Sequence, residues 1–358
     1  MSSSDNFRMD SHKLLYHPRR VSDWLDGSSI YPLYMEISPS GACNHRCVFC
    51  AKDYIGYLPR FLETAALLAS LPELSSGGVR SIMYGGEGEP LLHPDISDII
   101  RTTTALGIDV ALSTNGVNLL PELSEKILPE LSWIRVSINA GSPGRYAAIH
   151  STRADDFETV LDNIRAAAVI IKASGLRCTL GTQSLLLPEN ADDMETLAEL
   201  VRNAGADYLV IKPYSQHHSS TTRRYADIDY SAMMALDGRL ARFNSDTFRV
   251  IFRSGTMRKM SRPNRGYERC LALPFWSYID SGGNVWGCSS FIGDDRFCYG
   301  NIQEESFVAI WQGERRRQSL CYVAEQLDPE QCRMNCRMDE VNHYLWELTH
   351  PGPHVNFI

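Results

Sequence analysis

Cys43, Cys47 and Cys50 fall inside one ten-residue run, GACNHRCVFC, spaced C-x3-C-x2-C. Thiols so close together can form disulfides, bind a metal ion or hold an iron–sulfur cluster. Structural zinc takes four protein ligands, usually in paired spacing. His45 is the nearest further donor, but it sits between the first two cysteines, where the loop must already curl around the ion. Three thiolates suit three corners of a cubane cluster and leave the fourth iron open to an outside ligand. A second group lies far downstream: Cys270 and Cys288 flank Gly283 as C-x12-G-x4-C, and Cys332 and Cys336 form C-x3-C. Two separated groups suggest two sites.

The bulk of the chain narrows these options. It has 358 residues and a net charge of −8, with no basic tract. Binding along a nucleic-acid backbone is therefore not expected. The N-terminal residues are polar and carry both charge signs, so they lack the apolar core of a secretory signal. No apolar run is long enough to span a bilayer. A cytoplasmic, reducing location is the expectation, and disulfides are disfavoured there.

Strand-like and helical stretches alternate from about residue 30. LYMEIS (33–38), SIMYG (81–85), DVALST (109–114), WIRVSI (133–138), RCTLGTQSLL (177–186) and DYLVIKP (207–213) read as strands, with helical patterns between them. Crossover-length connections predict a parallel sheet covered by helices. Six units predict an α/β fold, a partial (β/α)6 TIM-like barrel, with its chemistry at the C-terminal strand ends. The rhythm then changes: FWSYIDSGGNVWGC (275–288) reads as a hairpin, and 304–318 as an amphipathic helix. The expected division is an N-terminal extension over 1–30, the barrel over 31–235 and a small domain over 236–358.

C-x3-C-x-aromatic-C after the first strand, with Gly85-Gly86-Glu87 ending the second, resembles the radical S-adenosylmethionine (SAM) superfamily. The resemblance implies a 4Fe–4S cluster on Cys43, Cys47 and Cys50, with SAM chelated on its open iron. It assigns Glu87 to the SAM amino group and Phe49 to the adenine. Glycines let backbone approach a ligand, and a carboxylate suits an ammonium. Ser113 and Asn115 end the third strand and Ser137 and Asn139 the fourth, so each can reach the SAM carboxylate, the ribose or the substrate. A reduced cluster would cleave SAM to methionine and a 5′-deoxyadenosyl radical, which takes hydrogen from a C–H bond. A flavodoxin- or ferredoxin-type protein would donate the electron.

The tail resembles the SPASM/twitch extension of such enzymes. A full SPASM domain has seven cysteines, including C-x2-C-x5-C-x3-C, of which only the last pair stands here. The resemblance implies one auxiliary 4Fe–4S cluster on Cys270, Cys288, Cys332 and Cys336, hence two clusters in all. Zinc is the alternative there on residue type. Cys178, Cys298 and Cys321 read as small buried hydrophobes, with a hydrogen-atom-donating thiol as the alternative for the last two.

VIKPYSQHHSS (210–220) supplies substrate-binding candidates at the sixth strand end, Lys212 first and then His217. Glu89, Gln183 and Arg253 are further candidates. Forty-two residues precede Cys43, too few for a peptide-leader-binding domain, so a small sugar or nucleoside is expected. The phrases IKPYSQH and CRMDEVNHYLW resemble twitch-bearing enzymes of the cytosylglucuronate decarboxylase type. Dehydrogenation, epimerisation or dehydration of a sugar, and peptide maturation, are the alternatives.

Overall fold

The computed structural model describes residues 11–260 and 264–357. Seven short runs form parallel strands that pair in chain order: β1 (Tyr34–Ile37), β2 (Ser81–Tyr84), β3 (Asp109–Thr114), β4 (Leu131–Ser137), β5 (Thr179–Leu186), β6 (Tyr208–Pro213) and β7 (Arg249–Phe252). The chain then returns to the opposite edge. There β8 (Trp276–Ile279) pairs in parallel with β1, and β9 (Asn284–Trp286) and β10 (Cys298–Asn301) continue antiparallel. The resulting ten-stranded sheet runs β10-β9-β8-β1-β2-β3-β4-β5-β6-β7. Its two edge strands do not pair with each other, which leaves an open partial barrel.

The helices are α1 (Pro18–Leu25), α2 (Thr64–Ser76), α3 (Ile96–Ala105), α4 (Pro121–Ile127), α5 (Pro143–His150), α6 (Asp155–Ala173), α7 (Met194–Asn203), α8 (Leu236–Leu240), α9 (Ser254–Lys259), α10 (Phe307–Gln312), α11 (Glu314–Glu325) and α12 (Asp339–Thr349). Proline at the first position starts α4 and α5, where its missing N–H is no loss. Asp155, Asp156 and Glu158 begin α6 and Lys172 ends it, matching the helix dipole. Leu67, Leu71 and Leu74 of α2 and Ile96, Ile99 and Ile100 of α3 repeat at helical spacing and are buried in the main core. Each such side chain contributes about 2 kcal/mol of burial. Among the described residues no helix is long and apolar enough to cross a membrane.

Two sequence expectations shift. The boundary at 235 falls before β7, which continues the parallel sheet beside β6. The strand pattern FRVIFR (248–253) forms as β7, while the helical pattern over 229–244 yields only the five-residue α8 between short turns of 3-10 helix. The helix expected over 304–318 is two helices, because Gly313 adopts an extended ψ of 164° between them. The expected 275–288 hairpin forms as β8 and β9. Of the N-terminal extension, residues 1–10 lie outside the described residues, and α1 occupies part of the rest.

Candidate active site

The cysteine loop leaves β1 and is pinned to the end of α5. Arg46 N–H donates to His150 O at 3.1 Å, and Val48 N–H to Ile149 O at 3.0 Å. Asn115 Nδ2 donates to Asn44 Oδ1 at 2.6 Å, tying the loop to the end of β3. The loop after β2 packs beneath it, where Glu89 N–H donates to Ala42 O at 2.8 Å. A Cβ on Gly88 would stand 2.6 Å from Ser40 O, so only glycine allows this approach.

Burial pushes the Cys43 thiol up to about 11 and Cys47 well above its ordinary value, and the charge of Cys50 adds to both, as does that of Cys43 to Cys47. Such a crowded set is poor at holding free thiolates and suited to iron, whose charge offsets the repulsion. A tetrahedral zinc would draw its sulfurs to about 3.8 Å from one another. Among the described residues, the one trio of His, Cys or acidic ligand atoms within 4.8 Å of one another is His45, Cys47 and His150. Neither cysteine group is that tight, which fits cubanes better than zinc. His45 does approach Cys47, although its ring also meets Asp156 at 3.5 Å.

A cavity of about 650 Å³ opens at the C-terminal strand ends and brings together Cys47, Phe49, Cys50, Gly86, Ser113, Ser137, Asn139, Gln183, Lys212 and Cys336. Gly86, at φ +127°, presents bare backbone to it. That wall, beside Cys47, Cys50 and Phe49, fits the amino-acid end of SAM. Ser137, Gln183 and Lys212 form a chain across three strands. Lys212 Nζ donates to Gln183 Oε1 at 2.9 Å, and Gln183 Nε2 donates to Ser137 Oγ at 2.6 Å.

Several of the expected site residues do not line this cavity. The Glu87 side chain does not line the cavity; its Oε2 accepts from Ser281 N–H at 3.0 Å and Ser281 Oγ at 2.5 Å. The β8–β9 turn beside β1 draws it away, so the backbone of this motif, rather than its carboxylate, faces the ligand space. Glu89 accepts from Leu91 N–H, Thr114 Oγ1 and Asn115 N–H at 3.0, 2.6 and 2.7 Å and bridges two strand ends below the cavity. Burial raises its carboxyl to about 7. The Asn115 amide is likewise used on Asn44, and Gly85 lies behind Gly86 against Ser113. His217 is buried between Tyr54 and His218, with ring centroids 5.1 and 4.6 Å away. Burial and then Lys52 push it down to about 3, and it does not line the cavity.

The structure adds residues that the sequence reading passed over. Arg135, Arg333, Arg337 and Lys52 line the same cavity as Lys212 and Arg253. Burial first, then the guanidiniums of Arg135, Arg337, Arg253 and Arg333, push Lys212 well below its ordinary value. Arg135 lies over the Trp133 ring at 4.6 Å, and Arg333 Nε donates to Ser215 O at 2.9 Å. The lining carboxylates are already engaged: Glu36 pairs with Arg337 at 2.5 Å, and Asp339 and Glu340 pair with Lys259. The cavity is therefore positive in a chain whose net charge is −8.

The four tail thiols lie together, since Cys336, Cys270 and Cys332 all raise Cys288 by their charge. Asn342 Nδ2 approaches Cys270 Sγ at 3.6 Å, and Met338 N–H approaches Cys336 Sγ at 3.4 Å. Arg265 holds the connecting loop through Cys332 O at 2.6 Å. Cys178 is buried as expected and Cys298 is half-buried, but Cys321 is exposed on α11.

Residues 37–201 match the radical SAM superfamily, and residues 270–337 match the SPASM iron–sulfur cluster-binding domain. The chain thus carries a radical SAM domain followed by a SPASM domain. Their cofactors are a 4Fe–4S cluster with SAM in the first and an auxiliary 4Fe–4S cluster in the second.

Among curated proteins it is similar to the GTP 3′,8-cyclase of Chlorobaculum tepidum, 30% identical over 196 residues, covering 54% of this chain and 57% of that protein. GTP 3′,8-cyclase 1 of Pseudomonas aeruginosa is 30% identical over 198 residues, with the same coverage of 54% and 57%. The chain spans about half the length of these relatives. Among solved structures, Streptococcus suis SuiB bound to S-adenosylmethionine superposes with a TM-score of 0.63 at 17% identity, covering 84% of this chain and 70% of that one. That likeness concerns the fold. A resemblance to enzymes of the cytosylglucuronate decarboxylase type is not shown by these relatives.

Proposed function

We propose that this chain takes a hydrogen atom from a small anionic carbohydrate or nucleoside held between its two cluster sites. The observation that carries this reading is the positive cavity, whose lining includes Cys47 and Cys50 of one cysteine group and Cys336 of the other. Bound to SAM, the first cluster supplies the 5′-deoxyadenosyl radical. The protein must then hold the substrate carbon near it and exclude water. Lys212, Arg135 and Arg253, which line the cavity, would hold a carboxylate or phosphate, Gln183 and Ser137 would orient hydroxyls, and Trp133 would cover an apolar face. Four thiolates on the auxiliary cluster suit electron relay rather than substrate ligation.

The substrate that this reading favours is a hexuronic acid nucleoside, decarboxylated after hydrogen abstraction. Its radical would lose carbon dioxide, and one electron relayed through the auxiliary cluster from the external reductant, with two protons from solvent, would complete the product. Nucleoside phosphates are the second reading. The similarity to GTP 3′,8-cyclases and the number of guanidiniums favour it.

Anaerobic reconstitution tests the proposal. About eight irons per chain are expected, and 5′-deoxyadenosine with SAM and reductant. Deuterium should pass from a labelled uronate nucleoside, or from labelled GTP, into 5′-deoxyadenosine. About four irons, unchanged in Cys288→Ala, would remove the auxiliary cluster from the account. No 5′-deoxyadenosine from a loaded first cluster would remove the radical chemistry.

A further inference from the structure

The α5 helix ends on His150, which is 1% exposed and belongs to no expected site residue set. Its ring touches the cysteine loop from below: Nδ1 lies 3.5 Å from Cys47 Sγ. The other ring nitrogen settles which of the two carries the proton. Asn139 N–H donates to Nε2 at 3.2 Å, and a backbone N–H can only donate. Asn139 Nδ2 stands at the same distance of 3.2 Å. The amide is oriented that way because its Oδ1 accepts from Leu185 N–H at 2.7 Å. With two donors facing Nε2, the proton sits on Nδ1 and points at sulfur.

We infer that His150 is a positioning residue that donates an Nδ1–H hydrogen bond to the Cys47 thiolate and so sets the reduction potential of the SAM-binding cluster. The arrangement is built to keep this proton where it is. Tyr146 stacks on the ring at 4.1 Å, and the backbone carbonyl of His150 itself receives Arg46 N–H. Hydrogen bonds to cluster sulfurs tune potential, because they favour the more negative, reduced state. The step concerned is one electron entering the cluster from an external low-potential one-electron reductant. No protein bond breaks, and His150 keeps its proton throughout. The inference rests on the radical SAM assignment of Cys47 and not on the substrate reading.

The test is an EPR-monitored redox titration of the reconstituted, SAM-loaded protein, in which SAM perturbs only the first cluster's signal. In His150→Phe the ring stacking survives and the donor is lost. At fixed ambient potential the ratio of reduced to oxidised cluster should fall about tenfold, which is 59 mV for one electron. His150→Gln retains an N–H donor and should recover most of the shift. A wild-type potential in His150→Phe with full iron content would overturn the inference. Pulsed EPR of wild-type protein carrying 15N-histidine gives an answer that needs no variant. A histidine nitrogen coupled to the SAM-binding cluster is expected. Its absence would also overturn the inference, even if the variants failed to fold.

Discussion

Replacing Lys212 by methionine should change both how tightly an anion binds and how that binding depends on pH. Lys212 lies at the end of β6 with four guanidiniums near it, and burial and those charges hold it well below its usual range. An anion entering the cavity offsets that charge and raises the lysine again. Binding therefore takes up a proton wherever the free amine is neutral and the bound one charged. The sign follows: affinity falls as pH rises from the free value toward the bound one, by at most about one decade per pH unit. A hydrogen bond from a charged donor is worth about 1.5–3 kcal/mol, so Lys212→Met should weaken binding roughly 10- to 150-fold. The methionine is close in length and leaves Gln183 its bond to Ser137. Calorimetry with inorganic pyrophosphate or glucuronate, in buffers of differing ionisation enthalpy, reads affinity and proton uptake together. Wild-type affinity in Lys212→Met, or no proton uptake by the wild type, would refute this account of the cavity.

Gly86→Ala should abolish SAM binding, read by equilibrium dialysis, and lower the melting temperature. A Cβ at φ +127° is strained and would stand 2.9 Å from the Ser38 Cβ, a clash of roughly 1–3 kcal/mol. Glu89→Gln should change the pH dependence of stability. Glu89 binds its proton up to about 7 when folded, against an ordinary 4.5. The folded state thus keeps a proton that the unfolded chain has released, and its contribution is lost as pH rises from 4.5 to about 7. Thermal melts across that window should lose part of their slope in the glutamine variant. An unchanged slope would remove Glu89 as its source.

The three-cysteine loop and the strand–helix alternation were legible because each is local. Spacing within eight residues and apolar runs of four to seven need no knowledge of the fold. The Glu87 side chain's partner, Ser281, was not legible because it is 194 residues away and arrives only when β8 pairs with β1. The burial of His217 was hidden for a related reason: a histidine in a polar loop looks accessible until Tyr54, from the cysteine loop, stacks on it. The arginines were readable but unread. Strand alternation puts Trp133, Arg135 and Ser137 on one face of β4, as it puts Tyr208, Val210 and Lys212 on one face of β6, and all six line the cavity. Arg333 and Arg337 each follow a tail cysteine directly. Cluster ligation at Cys332 and Cys336, as proposed, would therefore carry two guanidiniums toward the cavity, which Arg333 and Arg337 both line. The tail cluster and the anion site are in this sense one construction. Loss of that cluster should loosen anion binding as well as electron transfer, and pyrophosphate affinity in Cys336→Ala would tell whether the two are separable.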